Sequence, residues 1–322
     1  MTFAQVLGHE RQKDILRRAL DSGRLAHAYL FEGPEGIGKR LMALAVARAV
    51  ACAEGNGCGD CAACRKIDHN NHPDLHIVES EGASIKIDQV RALQKELSYR
   101  PLEAPKKICL IDGAEKMNPA AGNALLKTLE EPSGDALLIL LTSRAEGVLA
   151  TIRSRCQRLP FARLPRPTIQ KVLLERLGVD ETQGHILAAL SEGSFKKALG
   201  KDRDLYLEKR RELLKALTAL STGSVLPLFD LAQVLADEKE RLGEILEIFQ
   251  AFYRDLLLVR HGRPQTELVN IDLQEKIHRN AQRHSVAAIL TKLDAVAAAR
   301  RHLDRNVNRQ LAMEVLLLKL AA

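Results

Sequence analysis

Along the first half of the chain, short apolar runs alternate with segments whose apolar residues recur every three or four positions. The runs fall at 26–32, 75–78, 107–112, 136–142 and 157–161. Runs of this length, bounded by turn residues, predict buried strands. The intervening segments predict helices. One spans about 40–50. In another, Ile87, Val90, Leu93 and Leu97 keep helical spacing until Pro101 stops them. At Asn118-Pro119 a helix N-cap precedes a first-turn proline, and that helix runs through Leu125, Leu126 and Leu129 to Pro132. Strand and helix in alternation predict an α/β fold: a parallel sheet with helices on both faces.

Beyond about residue 165 the strand pattern stops. Leu164-Pro165-Arg166-Pro167 reads as a linker, and 168–199 as a small helical unit broken at Gly178 and Gly193. Amphipathic helices follow at 205–220, 228–235, 241–260, 272–283, 286–303 and 308–320. A length of 322 residues suits two or three domains. The expected boundaries are 1–165, 166–205 and 206–322, with a metal-binding insert at about 52–64.

Composition narrows the classes. Apolar residues are 46% and charged residues 28% of the chain, as in ordinary globular proteins. No run approaches the roughly 18 apolar residues of a membrane helix, so no membrane association is expected. The opening residues lack a basic segment before an apolar core, so a secretory signal is not expected and the cytoplasm is. The net charge of +7 permits nucleic-acid contact without demanding it. With no Trp and 3% aromatics, a stacking platform for single strands is excluded.

The first chemical motif is Gly33-Pro34-Glu35-Gly36-Ile37-Gly38-Lys39, between a predicted strand and a predicted helix, which is the setting of a phosphate-binding loop. Glycines at 33, 36 and 38 let backbone N–H groups converge on phosphate oxygens, and Lys39 would neutralise them. The next residue of a working loop is Ser or Thr, whose hydroxyl ligates Mg²⁺; here it is Arg40. The run 107–112 ends in Asp112, as a Walker B strand does. The catalytic carboxylate expected after it is replaced by Gly113, and Glu115 is not expected to reach the same spot. The chain therefore keeps the outline of a nucleotide site and lacks two groups that hydrolysis needs. ATP binding is expected to be vestigial or weak, without Mg²⁺.

The second motif is Cys52-x5-Cys58-x2-Cys61-x2-Cys64. Four thiolates at this spacing suit a closed structural Zn²⁺ site. An iron–sulfur cluster uses the same ligands and competes with that reading, and His69 or His72 could replace one cysteine.

Together these features resemble the AAA+ clamp-loader family of bacterial DNA polymerase III, and within it the delta-prime kind of subunit. The resemblance is carried by Phe3-x-x-Val6-Leu7-Gly8-His9, His27-Ala28-Tyr29-Leu30-Phe31, the cysteines after the loop helix, the stretch from Asn123 to Pro132, Ser154-Arg155-Cys156, and the segment from Asn308 to Leu320. It implies an AAA+ α/β domain, a helical lid and an all-α collar that joins subunits into a ring. It implies a non-hydrolysing stator whose Arg155, in the SRC motif, reaches in trans into a neighbour's ATP site. Taken alone, Arg155 reads as an arginine capping a strand or paired with a carboxylate, and only the other motifs favour the finger. Thr142 and Lys196 fall where family members carry sensor residues. The implied partners are the gamma/tau ATPase subunits, the delta subunit and, through the assembly, the sliding clamp and primer-template DNA. The chain itself is expected not to be catalytic, although the holoenzyme is a DNA-directed DNA polymerase and nucleotidyltransferase at the bacterial nucleoid. Two alternatives remain open: an active gamma/tau-like motor ATPase, and a zinc-dependent DNA-binding module.

Overall fold

The computed structural model describes residues 2–131, 135–200, 205–220, 225–305 and 307–322. These fall into two compact units: Met1–Thr168 with Gly193–Lys196, and Ile169–Glu192 with Lys197–Ala322.

The first unit contains, in order, α1 (Glu10–Asp21), β1 (Ala28–Glu32), α2 (Lys39–Ala51), α3 (Ala62–Asp68), β2 (Leu75–Glu79), α4 (Ile87–Leu97), β3 (Lys107–Asp112), α5 (Pro119–Glu130), β4 (Ala136–Thr142), α6 (Ala150–Arg153) and β5 (Gln157–Pro160). The five strands form one parallel sheet in the order β2-β3-β4-β1-β5. Every residue of β4 is buried, because the strand is central and covered on both faces. Alternate strand residues divide between two cores. Tyr29, Phe31, Ile108, Leu110, Ile139 and Leu141 pack with α2. Leu30, Cys109, Ile111, Leu138 and Leu140 pack with α4 and α5. The edge strand β5 is short, and its Arg158 pairs with Glu32 of β1.

Register places the carboxyl ends of the strands side by side. Glu79 stands opposite Asp112, Asp112 opposite Leu141, and Glu32 opposite Thr142. In open parallel sheets the ligand crevice lies beyond these ends.

The strands β3 and β4 have the expected bounds, whereas β1 begins two residues later than its apolar run. The helix α5 has the expected cap, Asn118 accepting from the N–H of Ala121 at 2.7 Å, with proline at the first turn. Pro132, expected to stop it, lies outside the described residues. A helix, α7 (Arg166–Leu177), starts inside the expected linker; a proline in the first turn is compatible with this.

The second unit is helical among its described residues. Following α8 (Glu181–Leu190) and α9 (Phe195–Ala198), the chain forms a π-helical turn at Leu205–Lys209, then α10 (Arg210–Ala219), α11 (Leu226–Asp237), α12 (Leu242–Arg260), α13 (Gln274–Arg283), α14 (Val286–Asp304) and α15 (Arg309–Ala321). The helix α12 packs against α13 and α14, and α15 against α11 and α14. Ile245, Phe249, Phe252 and Leu256 supply its core face. The expected uninterrupted helix over 205–220 instead opens with the π turn, where buried Arg210 donates from Nε to the carbonyl of Tyr206 at 2.9 Å and from Nη2 to Asp272 at 2.7 Å.

Asp74, immediately before β2, ties a loop to the sheet. Its buried carboxylate accepts the N–H groups of Leu102, Glu103 and Ala104 at 2.7–2.8 Å. Burial alone would raise its pKa, but these three donors reverse the shift and hold it below the ordinary value. A depressed carboxyl stabilises the fold above the unfolded-state pKa and loses that contribution as pH falls through the folded-state value. Asp74→Asn is expected to cost about 2–3 kcal/mol at neutral pH. In denaturant melts the gap from wild type should shrink as pH falls below about 4; a gap independent of pH would show that the carboxylate charge contributes nothing.

Candidate functional site

The loop between β1 and α2 lies at the carboxyl edge of the sheet. Gly33 is anchored there by its N–H to the carbonyl of Thr142 at 3.2 Å. Gly38, with φ of +105°, caps the start of α2, a conformation that favours glycine. Gly36 also has positive φ, and a Cβ there would collide with Ser194 Oγ and sit 2.7 Å from Lys196 Cβ. The segment Gly193–Lys196 therefore lies directly on the loop, with Lys196 N donating to the Gly36 carbonyl at 3.3 Å.

Lys39 is buried, and its ammonium donates to the carbonyls of Gly33 and, at 2.7 Å, Pro34. Burial lowers its pKa, opposed by the carboxylates of Asp112, Glu115 and Glu35. The loop lysine is thus folded onto its own loop and already bonded.

Arg40 Nη1 reaches across the site to Glu79 and, at 3.1 Å, to Asp112 Oδ2. Burial works against its charge, but Glu79 and Asp112 outweigh that and raise its pKa. The guanidinium therefore occupies the neighbourhood that a divalent cation would share with Asp112, and it neutralises the carboxylate that would ligate one. Together with Lys39, Thr142 and Ser143 these residues line a cleft of about 380 Å³.

Glu115, not expected to reach this place, also lines the cleft. Its Oε1 accepts from the N–H of Ser143 at 3.1 Å and from the Ser143 hydroxyl. Burial raises its pKa, but these donors prevail and lower it. Glu79 is the residue that sequence reasoning missed. The only sequence signal for it was an acidic residue ending an apolar run, as Asp112 does. Thr142, at the sensor position, is buried and donates from Oγ1 to the carbonyl of Arg144 at 2.9 Å.

Arg155 lies apart from the cleft, just after α6. Its Nη1 donates to the carbonyl of Thr151 at 3.0 Å, and its Nη2 pairs with Glu130 at 2.5 Å. The side chain is about one-third exposed.

The four cysteines come together between α2 and α3. All four sulfurs lie within 4.8 Å of one another, and those of Cys58 and Cys64 are 3.9 Å apart. Sulfurs about 2.3 Å from a tetrahedral zinc stand about 3.8 Å from each other, so the cluster fits that ion. Each of three sulfurs also accepts a backbone N–H at 3.4 Å: Cys52 from Cys58, Cys58 from Cys61, and Cys61 from Cys64. Burial raises the Cys52 thiol, but its hydrogen bonds, led by the Cys58 N–H, bring it down to about 6. Burial pushes the Cys64 thiol up to about 12. Four thiolates on one ion would leave no open position, the pattern of a structural rather than a catalytic metal site. His72 belongs elsewhere, its Nδ1 accepting the N–H of Asp74 at 3.1 Å.

A parallel sheet, a phosphate loop after its first strand and an all-helical C-terminal region define an AAA+-type P-loop protein. Family models described as DNA polymerase III, delta subunit, and as its C-terminal region match residues 8–165 and 205–322. The chain is 35% identical to DNA polymerase III subunit delta' of Bacillus subtilis, covering 96% of this chain and 95% of that one. It is 32% identical to the delta' subunit of Pseudomonas aeruginosa, covering 92% of each. The Escherichia coli tau subunit is 35% identical over 62% of this chain and 32% of its own length. A solved gamma subunit-related protein of Thermotoga maritima aligns over 96% of this chain and 98% of its own at 20% identity and a TM-score of 0.45. The chain belongs to the delta' family of DNA polymerase III and is a clamp-loader subunit.

The geometry at Arg40 generates a gain-of-function expectation. Arg40→Thr should free Asp112 and supply the missing hydroxyl, so that Mg²⁺ tightens nucleotide binding by about tenfold or more. Titration with a fluorescent ATP analogue, with and without Mg²⁺, reads this directly. A wild-type chain that already shows the Mg²⁺ effect would contradict the role given to Arg40.

Proposed function

We propose that the chain is a non-hydrolysing stator of the clamp loader, which helps to load the sliding clamp on primed DNA and donates Arg155 to the ATP site of a neighbouring subunit. The observation that carries this reading is the bonding of Arg40 to Asp112 and Glu79. A guanidinium on the carboxylate of the Walker B strand competes with Mg²⁺, and without the metal the β- and γ-phosphates lose their bridging charge. Gly33, Gly36, Gly38, Lys39 and Asp112 are the remnant of a nucleotide site. Lys39, bonded to its own loop, would have to be displaced by any phosphate.

Arg155 has the chemistry of a finger. A guanidinium near a transferring γ-phosphate stabilises the charge that spreads over its oxygens. Its bonds to Glu130 and Thr151 hold it on this chain's surface; reaching a neighbour means exchanging a half-exposed carboxylate for a phosphate.

The expected partners are gamma/tau ATPase subunits, the delta subunit and, through the assembly, the clamp and primer-template DNA, in the cytoplasm. No described helix is long and apolar enough to cross a membrane. The division into an α/β domain at 1–165, a lid at 166–205 and a collar at 206–322 belongs to the same proposal. Apolar side chains support a collar role: α15 exposes Leu311, Val315 and Leu318, and its neighbour α11 exposes Leu226, Phe229 and Val234. Such a face suits burial against another helical subunit.

Two outcomes follow from this reading. The chain alone should not turn over ATP, and a complex rebuilt with Arg155→Ala should assemble but lose about 10³-fold or more of the rate at the site that arginine completes. Robust turnover by the chain alone, abolished by Lys39→Ala, would make it a motor instead. Separately, Leu311→Arg with Val315→Arg should leave the melting of the free chain within about 0.5 kcal/mol of wild type and abolish co-elution with the other subunits on gel filtration. Intact co-elution would remove the collar assignment.

A further inference from the structure

Arg48 is among the largest fully buried side chains of the protein, 2% exposed, although it lies outside the nucleotide cleft. It occupies the last turn of α2, and its carbonyl accepts the N–H of Cys52 at 2.9 Å. The loop that carries Cys58 passes over its side chain. A Cβ at Gly57 would stand 3.5 Å from Arg48 Cγ and Cδ, and a Cβ at Gly59 would stand 3.7 Å from Nη1. Both glycines have φ in the left-handed range, +70° and +93°, so the loop crosses the arginine without side chains of its own on either side of Cys58. On the other side of the guanidinium, Nη2 pairs with Asp68. Asp68 ends α3, one turn after Cys64. Nε is buried and makes no hydrogen bond among the described residues.

The placement is specific in charge. A buried guanidinium is costly unless negative charge surrounds it. Asp68, which meets Nη2, is partly solvated. Four thiolates around a divalent cation carry net negative charge, and the groups around such a centre tune its affinity. The arm pointing to Gly59 faces the strand of chain that holds Cys58 and leads to Cys61.

We propose that Arg48 is the positioning residue and counter-charge of the four-cysteine metal centre, oriented from behind by Asp68. It links the end of α2, which leads into Cys52, to α3, whose first turn supplies Cys64 and whose last residue is Asp68, and its positive charge lowers the cost of assembling four thiolates. The inference rests on the reading of these cysteines as a zinc site and adds a residue that ligand spacing does not reveal.

The test uses the full chain as wild type, Arg48→Met, Arg48→Gln and Arg48→Lys. Zinc affinity is read by competition with a chromophoric chelator, cobalt-substituted protein by its thiolate-to-metal charge-transfer band, and thermal melting with and without metal. Removing the charge should weaken zinc binding by about 10–100-fold, as for other residues around metal ligands. Arg48→Lys should recover part of the loss. The metal-free neutral variants should melt no lower than metal-free wild type, because a buried charge has been removed. Arg48→Gln serves if Arg48→Met does not fold. Wild-type affinity in the neutral variants, or Arg48→Lys as weak as they are, overturns the counter-charge role. Equal loss of melting temperature with and without metal also overturns it, leaving Arg48 as packing alone. Wild-type protein that binds no metal overturns the zinc assignment itself, a result distinct from the others.

Discussion

The structure depends on the shared register of five parallel strands. Because both faces of the sheet are covered, the strands can end only at its edges, and their carboxyl ends line up. That alignment brings Glu79, Asp112 and Thr142, which are far apart in the chain, to one crevice beside the phosphate loop. The character of the nucleotide cleft follows from what is placed there. With a hydroxyl at 40, the crevice would gather carboxylates around a metal ion. With arginine it gathers them around a fixed cation, and the same geometry becomes an internally neutralised cluster.

The second organising charge is at the cysteine centre. There, on the zinc reading, the chain solves the opposite problem, gathering the negative charge of thiolates and answering it with backbone N–H groups and with a buried arginine. Both sites use a residue of α2: Arg40 in its first turn and Arg48 in its last full turn. The helix thus presents one guanidinium to carboxylates at the sheet and another toward the sulfur cluster.

Much of this was legible in the sequence where burial is uniform. The strands β3 and β4 kept their expected limits because every position in those runs is apolar or strand-terminal, so periodicity leaves no room for another assignment. The phosphate loop and cysteine spacing were legible because both motifs are local. What was not legible depended on register or on charge in unusual places. Glu79 became a partner of Arg40 only through pairing of β2 with β3. Glu115 entered the cleft because the backbone turns sharply through Gly113 and a short 3₁₀ turn, which brings it against Ser143. Arg48 carries no motif that marks it for burial. Its burial comes from the glycine-flanked loop folded over it. The π turn before α10 has no periodic signature, since it adds a single residue to one helical turn and coincides with the side-chain bond from Arg210 to Tyr206.

The self-bonded state of Lys39 has a consequence for the free energy of the subunit as a whole. A protein whose phosphate loop stands open gains stability in proportion to the logarithm of its nucleotide concentration, because the ligand binds only the folded form. Here the lysine is bonded to loop carbonyls and the neighbouring arginine to two carboxylates, so these charges are paired without nucleotide. On the proposed stator reading, its stability would not follow the nucleotide level of the cell. Around a ring of nucleotide-responsive neighbours, such a subunit would be a fixed reference against which their movements are measured.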